Sequence, residues 1–477
     1  MRSLLSFLSL MTLGQLCLLF NQLVLLPLEL RIWGTATTAQ WFVLLSTANL
    51  LTIADFGLRS SGHAALLKAM EGDPEETHSF RATWALTRLL VILGTLLFLV
   101  YAIVVGVGGA PSLLALLVII SVGCETLATT RGVWLDTLAQ FNRVEASYLT
   151  TQASRLLLSV LALLGFRAGP VSLAWIQLCA AIGWLIVQGM LLRAPLLDFR
   201  AGGFRSLRWS LWRDLPLVVA DPASNWIRMN LPVVVFGSFM PAAFITTFVA
   251  LRAAFGAARL TAIQLTRYAS VQYARENRSE ARRTIAIRAV FVTIVLGVMI
   301  SSLALIDDGR LLRLWLGASN VQDSRAIAAY FGVGALAAMC QIPASILVRS
   351  GQIREFAKRQ YAYVGLGLFT ALLASLLPAA AAYLCSLALL EIVNAGLFVQ
   401  ILDSEVRRAS VKAFVLAASV LLGLGAVVTR NPGGVFSAAT LTGAVWSALT
   451  GLLGLGCVAI PLLASPQAKL RTMLKRT

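Results

Sequence analysis

Apolar stretches long enough to cross a bilayer recur along this chain from residue 4 to residue 464, separated by short polar segments. As a helix, a run of about 20 such residues matches the thickness of the hydrocarbon core, and helices satisfy their own backbone hydrogen bonds there. With a window of roughly 19 residues, the runs fall at 4–27, 39–62, 84–106, 113–136, 147–165, 172–192, 215–236, 244–264, 285–306, 326–348, 361–377, 381–402, 413–429 and 435–464. They predict an all-α polytopic membrane protein with fourteen transmembrane helices. The seventh run is interrupted by Pro222, Arg228 and Pro232, and the eleventh and thirteenth are short but within the spanning range. Composition agrees: 58% of residues are hydrophobic and 13% charged, against about 25% charged in soluble domains. The stretch behind Met1-Arg2-Ser3 is too long for a signal peptide and shows no small-residue cleavage pattern, so it reads as the first span.

The chain carries 39 basic and 21 acidic residues, a net charge of +18. The cations sit in short loops between apolar runs, not on a solvated face with interleaved aromatics, which argues against nucleic acid as a partner. With the amino terminus inside, the inward loops and tails hold 25 Lys and Arg, the outward loops 6, and the spans 8. Retention of positive charge on the cytoplasmic side therefore predicts that both termini are cytoplasmic. A missed or invented span would spoil the alternation, and the alternation holds through Arg205, Arg208, Arg282, Arg283, Arg407 and Arg408. The longest outward loop, Asp307 to Arg325, has nineteen residues, leaving no room for a folded external domain. The bias of 34 Arg over 5 Lys fits GC-rich coding as well as phosphate recognition.

Six cysteines lie far apart inside apolar runs without C-x-x-C spacing, and the two histidines, His63 and His78, lie beside or in one polar loop. Neither pattern suits a metal site, a redox centre or His-based catalysis, so no metal or cofactor is expected.

Ionisable groups inside spans cost about 3 kcal/mol on insertion scales and face partners or water-filled cavities. Asp55 and Arg59 sit four apart in the second run, acid first, the order that favours an ion pair along one helix face. Glu145, Tyr148, Gln152, Arg155 and Ser159 recur at spacings of 3, 4, 3 and 4, a polar stripe on the fifth helix. Asp221, Asn225 and Arg228 repeat the pattern on the seventh, and Arg252 and Arg259 stand two turns apart on the eighth. The fourth run adds Glu125, Arg131 and Asp136, the twelfth Glu391 and Asn394, and the first Gln15 and Gln22. Helices two, five, seven and eight thus hold Arg59, Arg155, Arg228, Arg252 and Arg259 against Asp55 and Asp221. Forked guanidinium donors fit phosphate oxygens in pairs, so a cavity lined this way favours a phosphate or pyrophosphate. Gln15 and Gln22, two turns apart, suit sugar hydroxyls or interhelical hydrogen bonds, and Asn225 joins Gln22 and the five arginines as a substrate-binding candidate. Asp55, Glu125, Asp136, Asp221 and Glu391 are candidates for ion coupling or for buried ion pairs.

Several short stretches occur in an order that resembles a known family. Glu29-Leu30-Arg31-Ile32-Trp33-Gly34, Trp41-Phe42-Val43-Leu44-Leu45-Ser46 and Ala54-Asp55-Phe56-Gly57-Leu58 open the chain; Leu311-Leu312-Arg313-Leu314-Trp315-Leu316-Gly317 and Ile346-Leu347-Val348-Arg349-Ser350-Gly351-Gln352-Ile353-Arg354 flank the tenth run. Together with the helix count, they resemble the polysaccharide transporter (oligosaccharide flippase) family of the multidrug/oligosaccharidyl-lipid/polysaccharide exporter superfamily. The resemblance implies two six-helix bundles, 1–200 and 201–410, around a central cavity, then two extra helices and a basic cytoplasmic tail in 411–477. In the related lipid II flippases those extra helices help form a groove for the lipid tail while arginines contact the pyrophosphate; by similarity Arg59, Arg228, Arg252 and Arg259 occupy comparable helices.

The function implied is translocation of polyprenyl-pyrophosphate-linked oligosaccharide across the bacterial inner membrane by alternating access, for O-antigen, capsule or exopolysaccharide. Its partners would be that lipid-linked substrate, membrane lipids and a glycan polymerase. One alternative is a multidrug or cation exporter of the same superfamily using buried carboxylates. Another is a membrane enzyme of glycan assembly such as a polymerase, disfavoured because Asp307-Asp308 is the only outward acidic pair.

Overall fold

A computed structural model describes residues 2–54, 74–105, 112–137, 141–191, 209–256, 279–307, 310–337, 353–376 and 380–399, with the short pieces 407–408 and 411–412. Among the described residues the secondary structure is almost wholly helical and no strand occurs. The first group of helices comprises α1 (Arg2–Ala48), a 3-10 turn (Asn49–Ile53), α2 (Pro74–Val105), α3 (Ser112–Thr137), α4 (Phe141–Phe166) and α5 (Pro170–Leu191). The second comprises α6 (Trp209–Met229), α7 (Leu231–Phe239), α8 (Ala242–Gly256), α9 (Ser279–Asp307), α10 (Arg310–Leu316), a 3-10 turn (Ala318–Asn320), α11 (Ser324–Ala337), α12 (Ile353–Leu376) and α13 (Ala380–Val399).

Four helices are long and apolar enough to span a bilayer over Phe80–Ile103, Leu113–Gly132, Arg143–Phe166 and Pro170–Met190, close to the third through sixth runs. The chain is a multi-pass membrane protein. Its polarity is inverted relative to a soluble bundle: Leu93, Leu96, Leu97 and Val100 form an i, i+3, i+4, i+7 stripe on α2 that is exposed. Thr87, Thr126 and Thr130 are buried instead, each hydroxyl donating to the carbonyl four residues earlier, so these three hydroxyls are paired within their own helices. The thirteenth and fourteenth runs lie outside the described residues.

Two expectations need correction. The eleven-residue connection between the first and second runs is not a loop: helix continues through it, broken only at Gly34, whose φ of 79° is left-handed and suits a residue without Cβ. The seventh run does not break at Pro222, which lies inside α6; the break falls at Asn230, with Pro232 at the start of α7.

In the first group, α1 packs on α4, α3 on α5, and α2 on α3; in the second, α6 packs on α12, α9 on α11, and α11 and α12 on α13. The two groups share a core at one end. Leu26, Leu30 and Ala39 of α1 belong to the same apolar cluster as Phe236, Phe244, Phe248, Tyr363 and Tyr383. Here α7 runs so close to α1 that a Cβ on Gly237 would lie 2.6 Å from Val43 Cγ2. Trp226 Nε1 donates to the Ser46 carbonyl at 3.1 Å, and Asn49 Nδ2 lies 3.5 Å from Asn230 Oδ1.

Candidate functional site

Three helices of the second group meet at a buried polar cluster. The last turn of α6 places Arg228, the middle of α12 Tyr363, and α13 Glu391. Arg228 Nε donates to Glu391 Oε1 at 2.8 Å, and the Tyr363 hydroxyl donates to the same oxygen at 2.6 Å. The Arg228 guanidinium lies over the Tyr363 ring, 4.7 Å from its centroid. Side-chain exposure is 12% for Arg228 and 5% for Glu391, so the carboxylate takes its charge balance from Arg228 rather than from water. α6 and α12 come together because residue 367 is Gly: a Cβ there would sit 2.5 Å from Ile227 Cγ2. Asn394, one turn beyond Glu391, is buried beside this cluster's helix face.

Asp221 and Asn225, which the spacing placed with Arg228, are both exposed on α6, while Arg228 turns to Glu391. Arg252 of α8 is half-buried, and its Nη1 donates to the Met229 carbonyl at 2.6 Å. The last carbonyls of a helix lack intrahelical donors, so this bond caps α6 where it breaks. It occupies one of five guanidinium N–H donors.

In the first group, the stripe on α4 faces α1 and α3. Arg155 Nη1 pairs with Glu125 Oε1 of α3 at 3.1 Å, with side chains 20% and 34% exposed. Gln152 and Ser159 are buried, and Asn21 Nδ2 of α1 lies 3.5 Å from Gln152 Oε1. The Tyr148 ring packs against Trp184 of α5 at 5.5 Å. Gln22 is exposed. Arg131, read as one of the charges of the fourth run, donates from Nη1 to the Leu185 carbonyl at 2.9 Å and sits 4.9 Å from the Trp84 ring centroid, tying α3 to α5 and α2.

Sequence reasoning missed Glu29. It is 3% exposed on α1, and its Oε2 has no hydrogen-bond partner. Glu29 follows Asn21 by eight residues, about two turns on, but the polar residues around it in 28–38 read as a connection between runs. Asp55, Arg59, Arg259 and the side chain of Asp136 lie outside the described residues.

The structure thus brings together Arg228 with Glu391 and Arg155 with Glu125, each across helices. It leaves Asp221, Asn225 and Gln22 exposed, and gives Arg252 a carbonyl partner.

Among solved structures, the chain is similar to the lipid II flippase MurJ in an inward closed conformation, with a TM-score of 0.63 at 12% identity over 97% of this chain and 99% of that one. It is also similar to a multidrug resistance MATE family transporter of the MOP superfamily in an inward-facing conformation, with a TM-score of 0.59 at 10% identity over 88% and 98%. A third likeness is to the eukaryotic MATE transporter AtDTX14, with a TM-score of 0.57 at 13% identity over 86% and 100%. No protein-family model and no curated protein matches the sequence.

Proposed function

With the fold of MATE transporters and MurJ in hand, we propose that this chain is a flippase carrying polyprenyl-pyrophosphate-linked oligosaccharide from the cytoplasmic to the outer leaflet. The observation that supports this most is the extent of the likeness: 97% of the chain is covered by the lipid II flippase, against 88% and 86% by the two MATE proteins. The chain divides near residue 200 and again near residue 410. Both termini are cytoplasmic, and the membrane is the bacterial inner membrane. The shared core around Leu30, Val43 and Phe236 then lies at the outward end, and the cavity between the helix groups opens inward.

In that cavity Arg59, Arg252 and Arg259 hold the pyrophosphate. A bidentate guanidinium matches two phosphate oxygens, and several such forks offset a charge that is costly in a low dielectric. Gln22 and Asn225, one from each helix group and both exposed, face the sugars. The Arg155–Glu125 and Arg228–Glu391 pairs fix the helices that carry these groups, and the lipid tail stays in the bilayer. Rocking of the two groups then exposes the bound headgroup on the opposite side. No bond in the substrate breaks, so the chain is not an enzyme.

The test is the leaflet distribution of the lipid-linked oligosaccharide in cells lacking this protein and any second flippase for the same glycan. Sugars exposed outside are oxidised by membrane-impermeant periodate, and the protected fraction is counted. Protection should rise in the null strain, fall on complementation by the wild type, and stay high with an Arg59→Ala, Arg259→Ala variant that reaches the membrane. An unchanged distribution would refute the reading.

Glu29 favours a second reading. A buried carboxylate with an oxygen lacking a hydrogen-bond partner suits the cation chemistry of an exporter, which would show as altered resistance to cationic dyes that Glu29→Gln removes.

A further inference from the structure

We infer that residues 310–322 form a strap that is fixed to the second helix group, latches onto α1, and holds the outward mouth shut. The inference rests on the reading that the two helix groups rock apart during transport.

Its first half follows from the chemistry of proline. In α1, the Leu23 carbonyl would accept from the amide of residue 27, but residue 27 is Pro and has no N–H. A carbonyl freed inside an apolar bundle needs another donor. Trp315, at the end of α10 in the other helix group, supplies it: its indole Nε1 donates to Leu23 O at 2.8 Å. The partner that Pro27 denies to α1 from within is provided from across the interface.

The second half lies just past the strap's helix. Thr35 of α1 donates its hydroxyl to Asn320 Oδ1 at 2.5 Å. Asn320 cannot swing to follow α1, because its other groups are spoken for within the second group. Its Nδ2 donates to Leu316 O at 2.7 Å, and its own carbonyl lies 3.2 Å from the hydroxyls of Thr246 and Thr247 of α8, which share their hydrogens with the Ala243 carbonyl. The Gln322 amide donates to Thr247 Oγ1 at 3.0 Å. Thr246 and Thr247 are fully buried, and Leu312 and Leu316 anchor the strap in the apolar cluster common to both groups.

The two latch points straddle Gly34, one on each half of the kinked helix. The strap therefore holds the bend of α1 as well as its position. Separation of the groups at this end must break both hydrogen bonds, leaving the Leu23 carbonyl without a donor until water reaches it.

The experiment uses the full chain in lipid nanodiscs, with native cysteines replaced and nitroxides on Gly165→Cys and Ala382→Cys. Both positions are exposed, one at the end of α4 and one at the start of α13. Electron–electron distance measurement gives the ratio of separated to closed forms. Trp315→Phe keeps an aromatic ring and loses the N–H; Thr35→Val keeps the shape and loses the hydroxyl. Each should raise the ratio roughly 3- to 10-fold, the effect of one interhelical hydrogen bond, and together they should act multiplicatively. Thr35→Ser, which keeps the hydroxyl, should match the wild type. Pro27→Ala restores an amide to α1 and should blunt the effect of Trp315→Phe, because Leu23 O then has a donor in its own helix.

A Trp315→Phe, Thr35→Val protein with wild-type distances and intact thermal stability, in a wild type that translocates lipid-linked glycan, overturns the latch alone. A wild type that neither separates at this end nor changes the leaflet distribution in cells overturns the transport reading and the latch with it.

Discussion

Removing one member of the buried Arg228–Glu391 pair should cost far more than removing both. The contact is 2.8 Å long, with 5% of the Glu391 side chain and 12% of Arg228 exposed, so neither charge has water to fall back on. Arg228→Met leaves the carboxylate uncompensated, and Glu391→Gln leaves the guanidinium so; truncating one partner of such a pair costs about 3–5 kcal/mol. The double variant carries no stranded charge and replaces a long side chain by one of similar reach. It should lie within about 1 kcal/mol of the wild type, since neutral replacements of buried ion pairs are often neutral or stabilising. The coupling energy, the two single costs together less that of the double variant, is then at least about 5 kcal/mol. Tyr363→Phe keeps the ring beneath Arg228 and loses only the hydroxyl donor, worth about 1 kcal/mol between the soluble and membrane values for such bonds. Reversible unfolding in mixed micelles with rising dodecyl sulfate, followed by tryptophan fluorescence, measures the four variants and the wild type. A double variant as unstable as the worse single, or singles within about 0.5 kcal/mol of wild type, the scatter expected of independent sites, would refute the pairing. Because Arg228 neutralises Glu391, the folded double variant should still translocate; loss of transport in a stable double variant would restore Glu391 as a coupling group.

Gly367→Ala puts a methyl 2.5 Å from Ile227 Cγ2 and should destabilise the α6–α12 contact by about 1–3 kcal/mol; Ile227→Ala, which opens the space, should make the two changes less than additive in the same unfolding assay. Arg252→Met removes the donor to Met229 O and should lower stability by about 1–3 kcal/mol as an orphaned carbonyl is left at the break after α6. Gly34→Ala forces a Cβ onto a residue with φ of 79° and should cost about 1–2 kcal/mol, read as a lower midpoint in thermal unfolding, although nothing lies within 4 Å of that Cβ.

What hydropathy could show, it showed well. The third through sixth runs coincide with helices long enough to span, because a span is the sum of some twenty side chains and tolerates a few polar ones. Turns are different, since one residue decides them. Residues 28–38 include Glu29, Arg31, Gly34 and three threonines, and so read as a loop; helix nonetheless runs through them, with Glu29 buried and the non-helical backbone confined to Gly34. Pro222 was read as an interruption on propensity, yet the chain breaks at Asn230, where Pro232 opens the next helix and Arg252 caps the last one. Partners across helices were not legible at all. Spacing along α6 grouped Arg228 with Asp221, while its carboxylate is Glu391, 163 residues away. Spacing gives the face of one helix, and only packing says which face of another meets it.

Those pairings change what the arginine excess means. Of the five arginines that made the membrane interior look cationic, Arg228 is balanced by Glu391 and Arg155 by Glu125. Both pairs join helices: Arg228 of α6 to Glu391 of α13, and Arg155 of α4 to Glu125 of α3. Arg252 has a carbonyl partner rather than a carboxylate, and Arg59 and Arg259 lie outside the described residues. A carbonyl orients a guanidinium without cancelling its charge, and the remaining forked donors stay directed elsewhere. Among the described residues, Arg252 thus keeps an uncancelled charge where α8 approaches the break in α6. That is also where the two helix groups come together, through Asn49 and Asn230, so on the flippase reading proposed above a headgroup held there would touch both groups.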